Sequence, residues 1–424
     1  MAKLIPRWQR PSWRAGLLLL LTFSERSTVA GAARPRADED MSYGLPVANS
    51  QGFASVESNH LQYVQEDINE WKFASTQSLQ RPWVANLLRI SEAMHQQPND
   101  TEKYTQLREH LDEHCNRVYN STCEWQFSPP FNPAAALPDP EAARESGAIV
   151  FLCCADAQEL QDLLYALQFL DLNFNDHFQY PVLIFHENLG PGQVNVITAA
   201  TRSPVEFHQI TLRIPTFIDA RYVPRWYQGF SLGFRHMIRF FTIQLYEHPA
   251  MQKYDYYWRL DSDSFLIGRL WVDPFVFMRA SDYKFGFVAS TNVQPEFTAD
   301  LWELTEAHRR SEGITSEWFS GKWNGFAFYS NCEIARVDFW GLPEVQAYLN
   351  KVDQAGGIYK VRWPDSAIHF LAATMFLHSQ EMVQLVFMPY WHHNLVILPQ
   401  PWSETKETYP DGVPKEPGAA HAEL

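Results

Sequence analysis

The stretch from residue 148 to 188 constrains the fold more than any other. "AIVFLCC" (148–154) is a continuous apolar run, of the kind a strand needs when both faces of its sheet are covered. "DAQELQDLLYALQFLDLNF" follows, with Leu160, Leu163, Leu164 and Leu167 at the spacing of one helix face. "YPVLIFHEN" (180–188) then supplies a second buried strand. Strand, helix, strand in that order is a βαβ unit, which requires a parallel pair and a right-handed crossover. The expected class is therefore α/β, and a hydrophobic share of 46% supplies its core. Cys153 and Cys154, inside the first run, are read as buried thiols.

The next clear helix is "SLGFRHMIRFFTIQLYEH" (231–248), with Ser231 as its cap and Phe234, Met237, Ile238, Phe241 and Leu245 as its apolar stripe. Arg235 and Arg239, four apart, share another face. They are either solvated, or one of them meets a carboxylate or phosphate. "YDYYWRL" then reads as a strand that delivers Asp261 and Asp263 at its carboxyl end, where ligands collect in open α/β sheets. On extended backbone, side chains two apart point the same way, so both carboxylates can converge on one cation. The competing reading is two solvated carboxylates at the mouth of a turn. A second Asp-x-Asp, Asp38 and Asp40, lies in a stretch with no structural signal, so the spacing alone carries no weight.

A formal net charge of −15 argues against nucleic acid or an anionic membrane surface as the partner. It also means that a phosphorylated ligand would need a local cation. At the N-terminus, Lys3, Arg7, Arg10 and Arg14 precede an apolar run at 15–23, with "VAGA" at 29–32 as a cleavage site. Residues 1–32 thus have the pattern of a signal peptide or a short signal anchor, with membrane attachment in the latter case. In the secretory pathway, the sequons at Asn99 and Asn120 become glycosylation sites, and Cys115 and Cys123 can form a disulfide around the second. Residues 33–146 read as a stem and helical lead-in, closed by a proline-dense loop. A catalytic domain would then span 147–403, and a charged tail 404–424.

Several motifs occur in a fixed order: "FRHMIRFF", "EHPAMQKYDYYWRL", "YSNCEIARVDFW", "GGIYKVRWPDSAIH" and "MPYWHHNL". Together they resemble glycosyltransferase family 15, the fungal-type α-1,2-mannosyltransferases of the secretory pathway that use GDP-mannose and manganese. The resemblance runs from about residue 147 to 399. It implies a GT-A-type nucleotide-diphospho-sugar transferase fold, with one Rossmann-like mixed sheet, flanking helices and the helical stem ahead of it. It also implies a retaining enzyme, lodged in the Golgi or in a secreted or ER form, that moves mannose from GDP-mannose to a mannose-bearing glycan.

The resemblance implies roles for particular residues. Asp261, Asp263 and His392 would hold Mn²⁺ or Mg²⁺, with His393 as the alternative histidine. Glu333 would be the catalytic carboxylate, as covalent nucleophile or electrostatic support. Tyr227, Arg235, Arg259, Asp365 and His369 would face donor or acceptor. Read on its own, a glutamate between apolar neighbours is instead a buried salt-bridge partner. The chain also departs from the family pattern. Asp261 and Ser262 stand where Glu-Pro is usual, Cys332 where Phe precedes the glutamate, Pro364 where Gly is usual, and Ala155-Asp156 where Arg-Asn is common. Two other classes are open: a non-catalytic secreted sugar-binding protein, and a secreted glycoside hydrolase built on Glu333 and Asp365.

Overall fold

The computed structural model describes residues 82–97, 100–128, 145–153, 156–319 and 321–399. The signal or anchor segment, the tether, Asn99, Cys154 and the tail lie outside the described residues. Two helices come first, α1 (Pro82–Gln96) and α2 (Thr101–Tyr119), and then the strand β1 (Glu124–Ser128). Asp100 caps α2 by accepting from the Glu102 and Lys103 amides, and Asn120 closes it in the left-handed conformation, φ 51°.

The βαβ unit forms as the pattern demands. The strands β2 (Gly147–Leu152) and β3 (Val182–His186) are parallel, with α3 (Ala157–Leu170) between them. Asp156 caps α3 by accepting from the Glu159 amide. The strand β4 (Val205–Gln209) continues the parallel run, followed by α4 (Leu232–Arg239), β5 (Tyr256–Leu260), β6 (Phe265–Leu266), β7 (Phe285–Phe287) and β8 (Cys332–Arg336). The chain then adds α5 (Asp365–Phe376), β9 (Met382–Gln384), β10 (Tyr390–His392) and β11 (Leu395–Pro399). Ser231 caps α4 as expected. The helix passes into a π-helical turn at Phe240–Gln244, an irregularity that often accompanies functional sites.

Seven strands build the central sheet in the order β9-β7-β8-β5-β2-β3-β4. Only β8 runs against the others: it is antiparallel to both β5 and β7. One face carries Ile149, Phe151, Trp258 and Ile334 into a core shared with Leu160, Leu163 and Leu167 of α3. Val84 and Leu87 of α1 and Leu107 and Leu111 of α2 belong to the same core, with α1 packed against α3. A second sheet, β1-β11-β10-β6, stands beside the first. Here β1 runs parallel to β11, pairing Glu124 with Leu395 through Ser128 with Pro399. The described residues fall in one compact unit.

Two cysteine readings resolve differently. Cys115 and Cys123 form a disulfide, Cα to Cα 5.4 Å. Cys153 is itself disulfide-bonded, which corrects the buried-thiol expectation, whereas Cys332 is a buried free thiol. No helix among the described residues is long and apolar enough to cross a membrane.

Candidate active site

Period-two geometry on β5 builds the first half of the site. Tyr257 and Arg259 point to the face opposite the α3 core, and β8 sets Glu333 directly across from Arg259. From above, α5 lowers Asp365 and His369, one turn apart, onto these residues. Glu333 accepts from the Tyr257 hydroxyl at 2.6 Å and meets His369 Nδ1 at 2.9 Å. Tyr257 is held in turn by the Trp340 indole N–H at 3.0 Å and by Tyr246 at 3.2 Å. Arg259 donates to Asp365 at 2.5 Å and to Asp261 at 3.0 Å, with its guanidinium 3.6 Å over the Phe241 ring. The π-helical turn carries that ring.

This cluster is closed to water: Glu333 and Arg259 are each 1% exposed and His369 is fully buried. Burial alone would drive the Asp365 proton affinity up, but Arg259 and then His369 outweigh it and hold its carboxyl below the usual range. Burial raises the Tyr257 hydroxyl well above its ordinary value, and Glu333 adds to the rise. Every charge here has an opposite or a hydrogen-bond partner, as buried charges require.

The second half begins where β5 stops. After Leu260 the chain turns, the Asp261 amide donating to Asn331 O and the Ser264 amide to Asp261 O. The extended geometry expected for Asp261-Ser-Asp263 is therefore corrected, and the two carboxylates take different partners. Asp261 returns to Arg259, whereas Asp263 meets His392 Nε2 at 3.2 Å and His393 Nε2 at 3.1 Å.

A hairpin brings the two histidines together. His392 is the last residue of β10 and pairs with Leu395 of β11, so His393 opens a two-residue turn. Such turns need positive φ at their first position, usually taken by glycine, and His393 supplies it at 54°. The Trp391 indole donates to His393 O at 2.7 Å, and the two imidazoles stack 3.8 Å apart. Asp263, His392 and His393 can thus present three ligand atoms within 4.8 Å of one another, the one such group among the described residues.

The residues fit a divalent cation on a further point. His392 Nδ1 lies 2.6 Å from the Asn331 amide nitrogen, while Asn331 Oδ1, buried, has no partner. The two ends of an amide are isosteric. Turned over, Asn331 accepts from Nδ1–H through that idle oxygen, leaving the Nε2 lone pair of His392 toward Asp263, as metal ligation requires.

Charge supports this second half differently. Burial pushes the Asp263 carboxyl up, but His392 and then His393 outweigh it and hold it well below the usual range. Asp261 goes the other way, raised by burial despite Arg259.

The remaining candidates sit apart from both clusters. Arg235 is buried and donates to the carbonyls of Tyr359, Pro224, Arg225 and Ser231. It anchors the hairpin that carries Tyr227, and both expectations, solvent and ligand charge, are corrected. Arg239 grips Asp353 through two bonds of 2.8 Å. Tyr227, half-buried, pairs across that hairpin with Phe230. Asn120 is exposed, on the turn inside the Cys115–Cys123 loop.

Reading the sequence missed Tyr257, Asn331 and the full weight of His393. The period-two rule could have found Tyr257, two residues before Arg259. Nothing in the sequence singles out Asn331, whose place depends on β10.

Comparison with known proteins agrees with this architecture. The glycolipid 2-alpha-mannosyltransferase family matches residues 95–408, beginning well before the motif-bearing region. Among curated relatives, the O-glycoside alpha-1,2-mannosyltransferase omh1 of Schizosaccharomyces pombe is 27% identical, over 57% of this chain and 68% of its own. The alpha-1,2 mannosyltransferase KTR1 of Saccharomyces cerevisiae is 28% identical, over 60% and 70% respectively. Among solved structures, core-mannan synthase A of Aspergillus fumigatus in its Mn/GDP form superposes with a TM-score of 0.59 at 21% identity, over 66% of this chain and 86% of that one. The mannosyltransferase Ktr4p of S. cerevisiae in complex with GDP gives the same score and identity, over 78% and 93%. These structures share the GT-A-like fold. With the match spanning most of the sequence, the chain belongs to the glycolipid 2-alpha-mannosyltransferase family, a family of glycosyltransferases.

Proposed function

We propose that the chain transfers mannose from GDP-mannose to a hydroxyl of a mannose-bearing glycan, with retention and an α-1,2 linkage. One observation carries the reading: a cation-ready corner, Asp263 with His392, and a fixed anionic face, Glu333 and Asp365, flank the carboxyl end of one strand. Manganese, present in the Mn/GDP form of the A. fumigatus relative, suits a carboxylate ligand such as Asp263, with Mg²⁺ as the other candidate. A cation held there would stabilise the charge that grows on the departing diphosphate, which an acidic protein otherwise repels.

The chain's own residues do the rest. Tyr257 and His369 fix the Glu333 carboxylate, and Arg259 fixes Asp365, so neither reorients as positive charge builds at the sugar carbon. We assign Glu333, whose two oxygens are each held by a hydrogen bond, to electrostatic support of that charge. The acceptor hydroxyl's proton then leaves with the departing phosphate. The Cys115–Cys123 disulfide suits an oxidising lumen, in keeping with the Golgi.

The test is GDP release from GDP-mannose with Mn²⁺ and a panel of mannosides, the linkage being read by NMR. Turnover that needs both metal and acceptor is expected. Sugar binding without GDP release would make the chain a binder, and cleavage of an aryl mannoside without nucleotide would make it a hydrolase. Glu333→Gln should lower turnover by roughly 10²–10³ while GDP and Mn²⁺ still bind. Near wild-type turnover would remove Glu333 from the mechanism.

A further inference from the structure

Two features of the hairpin turn exceed what a one-histidine metal site needs. His393 holds a non-glycine residue in left-handed backbone, and such strain persists where the surroundings impose it. Its ring is also laid along that of His392, so that each Nε2 meets a different oxygen of the same carboxylate, at 3.1 and 3.2 Å. Adjacent ligand atoms around an octahedral ion with bonds of about 2.1 Å lie about 3 Å apart. The spacing of these donors therefore already resembles that of a ligand shell. Asp261 is engaged elsewhere, in its ion pair with buried Arg259. To ligate, it would have to leave a guanidinium that is 1% exposed and balanced by only one other bonded carboxylate, Asp365.

We propose that the cation is held by Asp263, His392 and His393 together, as a centre of two imidazoles and one carboxylate that fills without nucleotide. Asp261 is not a ligand but the partner of Arg259. The donor set sets the preference: imidazole nitrogens suit Co²⁺ and Zn²⁺ best, Mn²⁺ stands lowest of the transition series and draws more on the carboxylate, and Mg²⁺ favours an all-oxygen shell. The centre thus selects transition ions before any diphosphate arrives. This deepens the cation reading above, and its test uses no donor sugar, so failed turnover and a failed metal shell are separate results.

The experiment is titration of the metal-stripped, nucleotide-free full chain with Mn²⁺, Co²⁺ or Mg²⁺ alone, followed by calorimetry. Pulsed EPR on the Mn²⁺ form counts coordinated imidazoles. Expected are Mn²⁺ and Co²⁺ binding with Mg²⁺ at least roughly tenfold weaker, two imidazoles in the wild type and one in His393→Asn. His393→Asn and Asp263→Asn should each weaken Mn²⁺ by roughly tenfold or more, and Asp261→Asn by less than about threefold. Thermal unfolding of the stripped variants checks that they fold; should Asp263→Asn fail to, the imidazole count in His393→Asn decides alone. One imidazole in the wild type, unchanged affinity in folded His393→Asn, or Asp261→Asn as damaging as Asp263→Asn would overturn the proposal.

Discussion

Two clusters of ionisable side chains meet at the end of β5, and they settle their charges in opposite ways. In the buried one, Arg259 answers Asp365 and Asp261, while Tyr257 and His369 saturate Glu333. In the outer one, two imidazoles crowd a single carboxylate, on a turn whose backbone is strained. The first is complete as it stands, and removing any member leaves a charge stranded in a dry place. The second improves when something positive enters it. A site can therefore hold its rigid charges and its exchangeable ones side by side, provided that different residues carry them.

The sharpest way to break this contrast is Arg259→Met. Leaving Asp365 and Asp261 without their cation should cost about 3–5 kcal/mol in denaturant unfolding. A loss below about 1 kcal/mol would mean that water already reaches the buried cluster. Next in size is Mn²⁺ itself. At a hundredfold excess over its dissociation constant it should stabilise the wild type by about 2.7 kcal/mol and Asp263→Ala hardly at all. Equal stabilisation of both would move the ion away from Asp263. Tyr257→Phe removes one hydroxyl that serves Glu333, Tyr246 and Trp340 together, and should cost about 1–3 kcal/mol without changing Mn²⁺ affinity. A change in that affinity would show the two clusters to be one. The smallest effect is His393→Gly in metal-free protein, which should gain up to about 1 kcal/mol by relieving the positive φ. A net loss would show that packing of the His393 ring on His392 outweighs the strain.

How far the site could be read in advance follows the same division. What single elements carry was legible: the βαβ unit from its apolar runs, and the helix that Ser231 caps. The misreadings at the site arose from contacts between distant segments. Asp261 and Asp263 were assigned to one extended stretch, but the strand ends at Leu260, where the Asp261 amide finds Asn331 O. Arg235 reads as solvated or as the partner of a ligand charge, yet carbonyls from residues 224, 225 and 359 surround it. His393 reads as an alternative to His392 because the family pattern has one place for one histidine. The hairpin turn sets both beside Asp263.

The pairing of β1 with β11 bears on the order in which the protein can become competent. Glu124 and Asn394, joined by a 3.0 Å bond, are 270 residues apart in the chain. Every strand of the seven-stranded sheet has left the ribosome before Leu395 does, so the anionic face can assemble early. The turn that holds His393 beside His392 needs β11, and β11 in turn finds its second neighbour in the lead-in strand made first. Contacts of such long sequence separation form late. Completion of the metal corner is thereby tied to completion of the chain, and a product cut short before residue 395 would keep the sheet and lack the corner.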